Sequence, residues 1–147
     1  MFSWLFGSPL AAGEPAPEFA LPDESGNVVR LSELRGKNVI LVFYPADETR
    51  ICTKQLCEFR DGWEQVRGRN AVVYGVNPRG GESHAKFRAH HALPFPLLID
   101  RGQRVAALYR SNGIIVRRTV YLIGPDGRIR YSRRGKPPVD EVLRAAG

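Results

Sequence analysis

The chain has 147 residues, 43% of them hydrophobic, with 22 basic against 15 acidic side chains and a net charge of +7. That length suits one domain and that apolar share suits one core, which excludes a low-complexity or intrinsically disordered chain. The charge would serve an anion binder only if it clustered, and the basic residues are scattered from Arg30 to Arg144. The densest group, Arg128, Arg130, Arg133, Arg134 and Lys136, lies along an expected hairpin and reads as a solvated basic face rather than a nucleic-acid surface.

The opening "MFSWLFGSPL" is apolar, but no Lys or Arg precedes Arg30, and Gly7, Ser8 and Pro9 interrupt it. It is too short to span a bilayer and lacks the basic leader of an export signal. Residues 1–12 are read as a loosely packed arm, with Phe2, Trp4, Leu5 and Phe6 available for a weak interfacial contact, and residues 13–147 as the domain. No membrane association is expected, and the expected compartment is the reducing cytoplasm. A cysteine pair there is more apt for catalysis or redox chemistry than for a structural staple.

"NVILVFYP", residues 38–45, is a β-branched and aromatic run ended by Pro45, which suits a strand buried on both faces of a sheet. From Thr49 to about Val66, Ile51, Leu56, Phe59 and Trp63 recur at near-helical spacing, with Gly68 as the stop. "AVVYGV", 71–76, is a second buried strand and "ESHAKFRAHHAL", 82–93, a second helix. This alternation predicts right-handed crossovers on a parallel sheet. "PFPLLID" reads as a short strand and "QRVAALYR" as a short helix or turn. "RRTVYLIGPDGRIRYSRRG" reads as a hairpin turning at Pro125-Asp126-Gly127, and "PPVDEVLRAAG" as a closing helix. The fold class is therefore α/β, a central mixed β-sheet flanked by helices on both faces.

The only two cysteines, Cys52 and Cys57, fall in the first helix. With Thr49 as N-cap, its hydroxyl accepting from a first-turn amide, Cys52 stands at N3, where the helix terminus stabilises a thiolate and Arg50 adds positive charge. Residues five apart on an intact helix have Cα atoms roughly 8.6 Å apart, beyond the ~7 Å limit of a disulfide. The pair is either two small buried hydrophobes or a redox switch that closes only when the helix unwinds. His84, His90 and His91 sit on the second helix, and the cysteine spacing is not that of a zinc site, so no metal is expected and the histidines are read as solvated or at the edge of the core.

At "FYPADETRICTKQLCEFRD" the chain resembles a peroxiredoxin of the bacterioferritin comigratory protein, or peroxiredoxin Q, subfamily. Pro45, Thr49 and Cys52 satisfy the pattern P-x-x-x-T/S-x-x-C, Cys57 stands where that subfamily's resolving cysteine commonly lies, and Phe59-Arg60-Asp61 follows. The similarity extends over residues 13–147, and Arg118, just before "VYLI", matches the family's active-site arginine. The resemblance implies a thioredoxin fold and a peroxidase without cofactor, acting on hydrogen peroxide or an alkyl hydroperoxide, as a monomer or weak homodimer. It implies that Cys52 is oxidised to a sulfenic acid and that Cys57 condenses with it. A thioredoxin-like partner then reduces the disulfide. Thr49 would hold the peroxide, Arg118 would stabilise negative charge, and Pro45 would shield the thiolate. Where many relatives carry Pro-Gly, this chain has Arg50-Ile51, and a β-branched Ile51 disfavours positive φ. The competing functions are a thiol-disulfide oxidoreductase of the same fold, against which the lack of C-x-x-C tells, and a basic nucleic-acid-binding module without catalysis.

Overall fold

Strand β3 (Asn38–Phe43) is buried at every residue in the computed structural model, which describes residues 7–147. Because side chains alternate across a strand, it feeds two apolar layers. Val39, Leu41 and Phe43 join Leu98, Val105, Tyr109 and Tyr121 on one side; Ile40, Val42 and Tyr44 join Leu56, Phe59, Phe87 and Val142 on the other.

β3 is the middle strand of a five-stranded sheet. It pairs parallel with β4 (Ala71–Asn77), which pairs parallel with β5 (Leu97–Ile99). On its other edge it pairs antiparallel with β6 (Thr119–Ile123), which pairs antiparallel with β7 (Ile129–Arg134). β1 (Ala20–Pro22) and β2 (Val28–Arg30) form a separate two-stranded sheet whose Leu21 is buried in the Phe43-side core. Helices α1 (Arg50–Asp61), α2 (Trp63–Gly68), α3 (Gly81–His90) and α5 (Val139–Leu143) supply the Tyr44 side, and α4 (Arg104–Leu108) the Phe43 side. The mixed sheet with helices on both faces is thus as the sequence led us to expect.

Three local readings change. The helix expected to run to about Val66 is divided at Gly62 (φ −92°, ψ 18°), where an added Cβ would lie 3.4 Å from both the Glu58 carbonyl and Val139 Cγ1. α5 packs into that break. The second helix stops at His90 instead of continuing to Leu93. Ala92 takes φ 50°, its N–H donates to the Ala89 carbonyl, and the Leu93 N–H donates to the Arg88 carbonyl, a Schellman closure built without glycine. The arm is partly packed: Leu10 is buried in the Phe43 layer and its N–H donates to Tyr121 Oη at 3.0 Å. Phe2, Trp4, Leu5 and Phe6 lie outside the described residues.

The basic hairpin is not simply solvated. Arg134 is half-buried and donates to the carbonyls of Gly7 and Arg110 and to Thr119 Oγ1, Arg133 pairs with Glu141, and Lys136 pairs with Glu58. Among the described residues, no helix is long and apolar enough to cross a membrane.

Candidate active site

α1 turns Cys52, Leu56 and Phe59 into the core, spaced so that they share a face. Cys52 is 1% exposed. The helix begins at Thr49, whose backbone is extended (φ −86°, ψ 152°), and its first hydrogen bond runs from the Thr53 N–H to the Thr49 carbonyl. The amides of Arg50, Ile51 and Cys52 therefore precede the helical ladder, with Cys52 at N3. The Thr49 hydroxyl does not cap them, as had been expected, but donates to the Ala46 carbonyl at 3.2 Å. A hydroxyl that donates keeps its lone pairs, so Thr49 can still accept from a ligand.

Arg118 reaches this helix start from the sheet. Phe43 and Thr119 are register partners, so the residue before β6 sits beside the loop that follows β3. Arg118 Nη2 donates to Cys52 Sγ at 3.1 Å, and Nη1 to Gln55 Oε1 at 2.7 Å. Gln55, 1% exposed, donates in turn to the Gly135 carbonyl, and the Gly135 N–H donates back to the Arg118 carbonyl. This closed ring fixes the guanidinium against the sulfur. A planar cation with five donors can serve both acceptors at once, which lysine's single ammonium does less well. The neighbouring Arg117 is exposed.

Gln55 was not recognised in the sequence, although its place three residues after Cys52 puts it on the same helix face. The residues that hold the loop were missed as well. Asp47, 9% exposed, accepts four hydrogen bonds: from Tyr44 Oη (2.6 Å) and Asn77 Nδ2 (3.1 Å) on Oδ1, and from Ser83 Oγ (2.7 Å) and His84 Nδ1 (2.6 Å) on Oδ2. Burial opposes its charge, but the bonds from His84, Tyr44 and Ser83 outweigh that and hold its carboxyl below the ordinary range. His84 is fully buried, not solvated or at the edge of the core, and its Nε2 faces the Leu98 carbonyl at 2.9 Å. Both ring nitrogens thus face an oxygen, which holds the ring from two sides. Tyr44 is pushed well above its ordinary pKa by burial, with the charges of Asp47 and Cys52 adding, so it remains a donor.

Arg50 and Ile51 are exposed and helical; the positive φ in this stretch belongs to Glu48 (60°). The stiff Ile51 is thus never asked for the conformation it disfavours. Pro45 is half-buried at the entrance to the loop. Cys57 is half-buried, and burial raises its thiol pKa, with Asp61 reinforcing and Arg60 opposing. Both cysteines are free thiols within one unbroken helix, so their Cα atoms stand roughly 8.6 Å apart.

Residues 12–132 match the model of the AhpC/TSA family. The chain is 38% identical over 129 residues to the chloroplastic peroxiredoxin Q of Oryza sativa subsp. japonica, an alignment covering 83% of this chain and 58% of the rice protein. It is 35% identical over 142 residues to peroxiredoxin Bcp of Bacillus subtilis, covering 90% of each. Its fold superposes on the crystal structure of peroxidoxin BcpB from Mycobacterium tuberculosis with a TM-score of 0.86 and 30% identity, over 92% of this chain and 96% of that one.

Proposed function

Because the chain belongs to the AhpC/TSA family, among the peroxiredoxins of the Bcp and Q type, we propose that it is a thiol peroxidase. The observation that carries this reading is the Arg118 guanidinium held 3.1 Å from a buried Cys52 Sγ at the start of a helix. A thiolate there is stabilised by the guanidinium and by the helix terminus.

In the proposed cycle the Cys52 thiolate attacks one oxygen of hydrogen peroxide or an alkyl hydroperoxide. The new S–O bond forms as the O–O bond breaks, and the departing oxygen takes a proton to leave as water or an alcohol. Cys52 becomes a sulfenic acid. Arg118 and the first-turn amides stabilise the negative charge that moves along the O–O axis, while the Thr49 lone pairs receive the peroxide O–H. Pro45 limits the approach of water. The Cys57 thiol then displaces water from the sulfenic acid, and the resulting disulfide is reduced by two thiols of a thioredoxin-like donor. A cytoplasmic setting, as a monomer or weak homodimer, fits such an antioxidant role.

One equivalent of peroxide added to the reduced protein tests the reading. An intramolecular disulfide lowers the intact mass by about two units, whereas a lone sulfenic acid raises it by about sixteen; unchanged mass and unconsumed peroxide would remove the proposal. Arg118→Met keeps the side chain's bulk but removes both donors. It is expected to slow Cys52 oxidation on the order of a hundredfold, measured by stopped-flow peroxide competition. A wild-type rate in that variant would deny Arg118 its role.

A further inference from the structure

The loop bearing the active site meets α3 a second time, at a cluster the proposed peroxidase cycle leaves unused. Glu48, the residue before Thr49, points its carboxylate at the two histidines that end α3. His91 Nε2 lies 3.0 Å from Oε1, and His90 Nδ1 lies 3.1 Å from Oε2 and 3.2 Å from Oε1. The imidazole rings lie against each other, 4.3 Å between centroids and tilted by 34°. All three donor atoms fall within 4.8 Å of one another.

Donor atoms held at 2.0–2.1 Å from one zinc-like ion lie roughly 2.9–3.4 Å from each other. The two carboxylate–imidazole separations already meet that requirement. The third, between the imidazoles, closes by rotation of His90, whose side chain is 67% exposed. His91 is held by an edge contact with Phe87 (5.3 Å), and Arg60 donates to its backbone carbonyl, so its ring presents Nε2 from a fixed base. Two imidazoles and a carboxylate form a borderline donor set, suited to Zn²⁺ and its neighbours rather than to Ca²⁺ or Mg²⁺. The exposed side of the cluster leaves room for water to complete the coordination.

We propose that Glu48, His90 and His91 form a divalent-cation site of the zinc class that clamps the active-site loop to the end of α3. The cation replaces the proton each imidazole nitrogen shares with the carboxylate. Its three protein ligands come from two elements, so binding ties Glu48, in the loop leading into α1, to a helix that Asp47 already grips at its other end through Ser83 and His84. Cysteine spacing gives no sign of such a site, because its donors are adjacent histidines completed by a glutamate more than 40 residues away.

The test uses untagged protein carrying Cys52→Ser and Cys57→Ser, so that no thiolate competes for the metal. Titration with Zn²⁺ in a calorimeter should give one ion per chain. Glu48→Gln or His90→Ala, both at exposed side chains, should weaken binding at least about tenfold without changing the melting temperature of the metal-free protein. Amide exchange of residues 49–53 should slow with Zn²⁺ in the parent and not in Glu48→Gln. Unaltered affinity in both variants, or no saturable binding, would reduce the cluster to a hydrogen-bonded triad and overturn the site. Binding that leaves exchange at residues 49–53 unchanged would overturn the clamp.

Discussion

Cys52→Ser is expected to stop peroxide consumption, with a rate at least about a thousandfold below that of the parent, while Cys57→Ser is expected to keep the first oxidation and lose only turnover. The asymmetry follows from where the two sulfurs sit. Cys52 is buried against Arg118 and the free amides of a helix start, so a serine there leaves an alcohol too weakly acidic to become the nucleophile. Cys57 is one and a half turns further along, with its thiol pKa raised by burial. Among the described residues no guanidinium donates to its sulfur as Arg118 does to Cys52, and in the proposed cycle it contributes only after the helix opens. Stopped-flow measurement of the first oxidation should therefore superimpose for Cys57→Ser and the parent, whereas steady-state turnover with a dithiol reductant should not. Excess peroxide should carry Cys57→Ser on to the sulfinic acid, a gain of about 32 mass units, because nothing intercepts the sulfenic acid. Equal loss of the first step in both variants would mean that the cysteines act as a unit in the folded helix, contrary to their spacing.

His84→Leu is expected to cost about 3–5 kcal/mol of stability, read from urea unfolding. Removing the ring leaves the Asp47 carboxylate buried with one donor fewer and takes the ring away from the Leu98 carbonyl. The double variant Asp47→Asn/His84→Leu should be less destabilised than the sum of the two single changes, because the charge left unpaired by the first is removed by the second. Acid sensitivity follows from the same carboxylate. Since folding lowers the Asp47 pKa, its contribution is complete above the ordinary carboxylate value near pH 4 and is lost as pH falls through the lowered one. A single-variant cost below about 1 kcal/mol, the range of exposed ion pairs, would show that the pair does not hold the loop.

Much of this architecture was legible because the core strands are continuous apolar runs and the first helix carries its apolar residues at regular intervals. Pro45, Thr49, Cys52 and Cys57 stood in a local pattern; alternation along a strand allowed only one of Arg117 and Arg118 to face the site, and the family's offset from the "VYLI" strand singled out Arg118. What escaped was nonlocal. Asp47 gains its meaning from donors 30 and 37 residues away, and no periodicity announces such a convergence. Gln55 was findable in principle, being one helical turn from Cys52, but a glutamine on a helix is ordinarily solvated and nothing nearby marked it as buried. The division at Gly62 was hidden for the opposite reason: the apolar spacing runs straight through it from Phe59 to Trp63, and only the approach of Val139 gives the glycine its purpose.

That glycine also sets the scale of the conformational change the proposed chemistry demands. A helix running from Thr49 to Gly68 as one piece would transmit fraying at its start into the packing of Trp63 on Phe95 and of Val66 in the core. Divided at Gly62, the chain has a firebreak. The twelve residues of α1 can melt and reform as a small cooperative unit while α2 and the sheet stay intact. In the proposed cycle each round would disturb only the segment that must change shape, leaving most of the fold in place for that segment to return to on reduction.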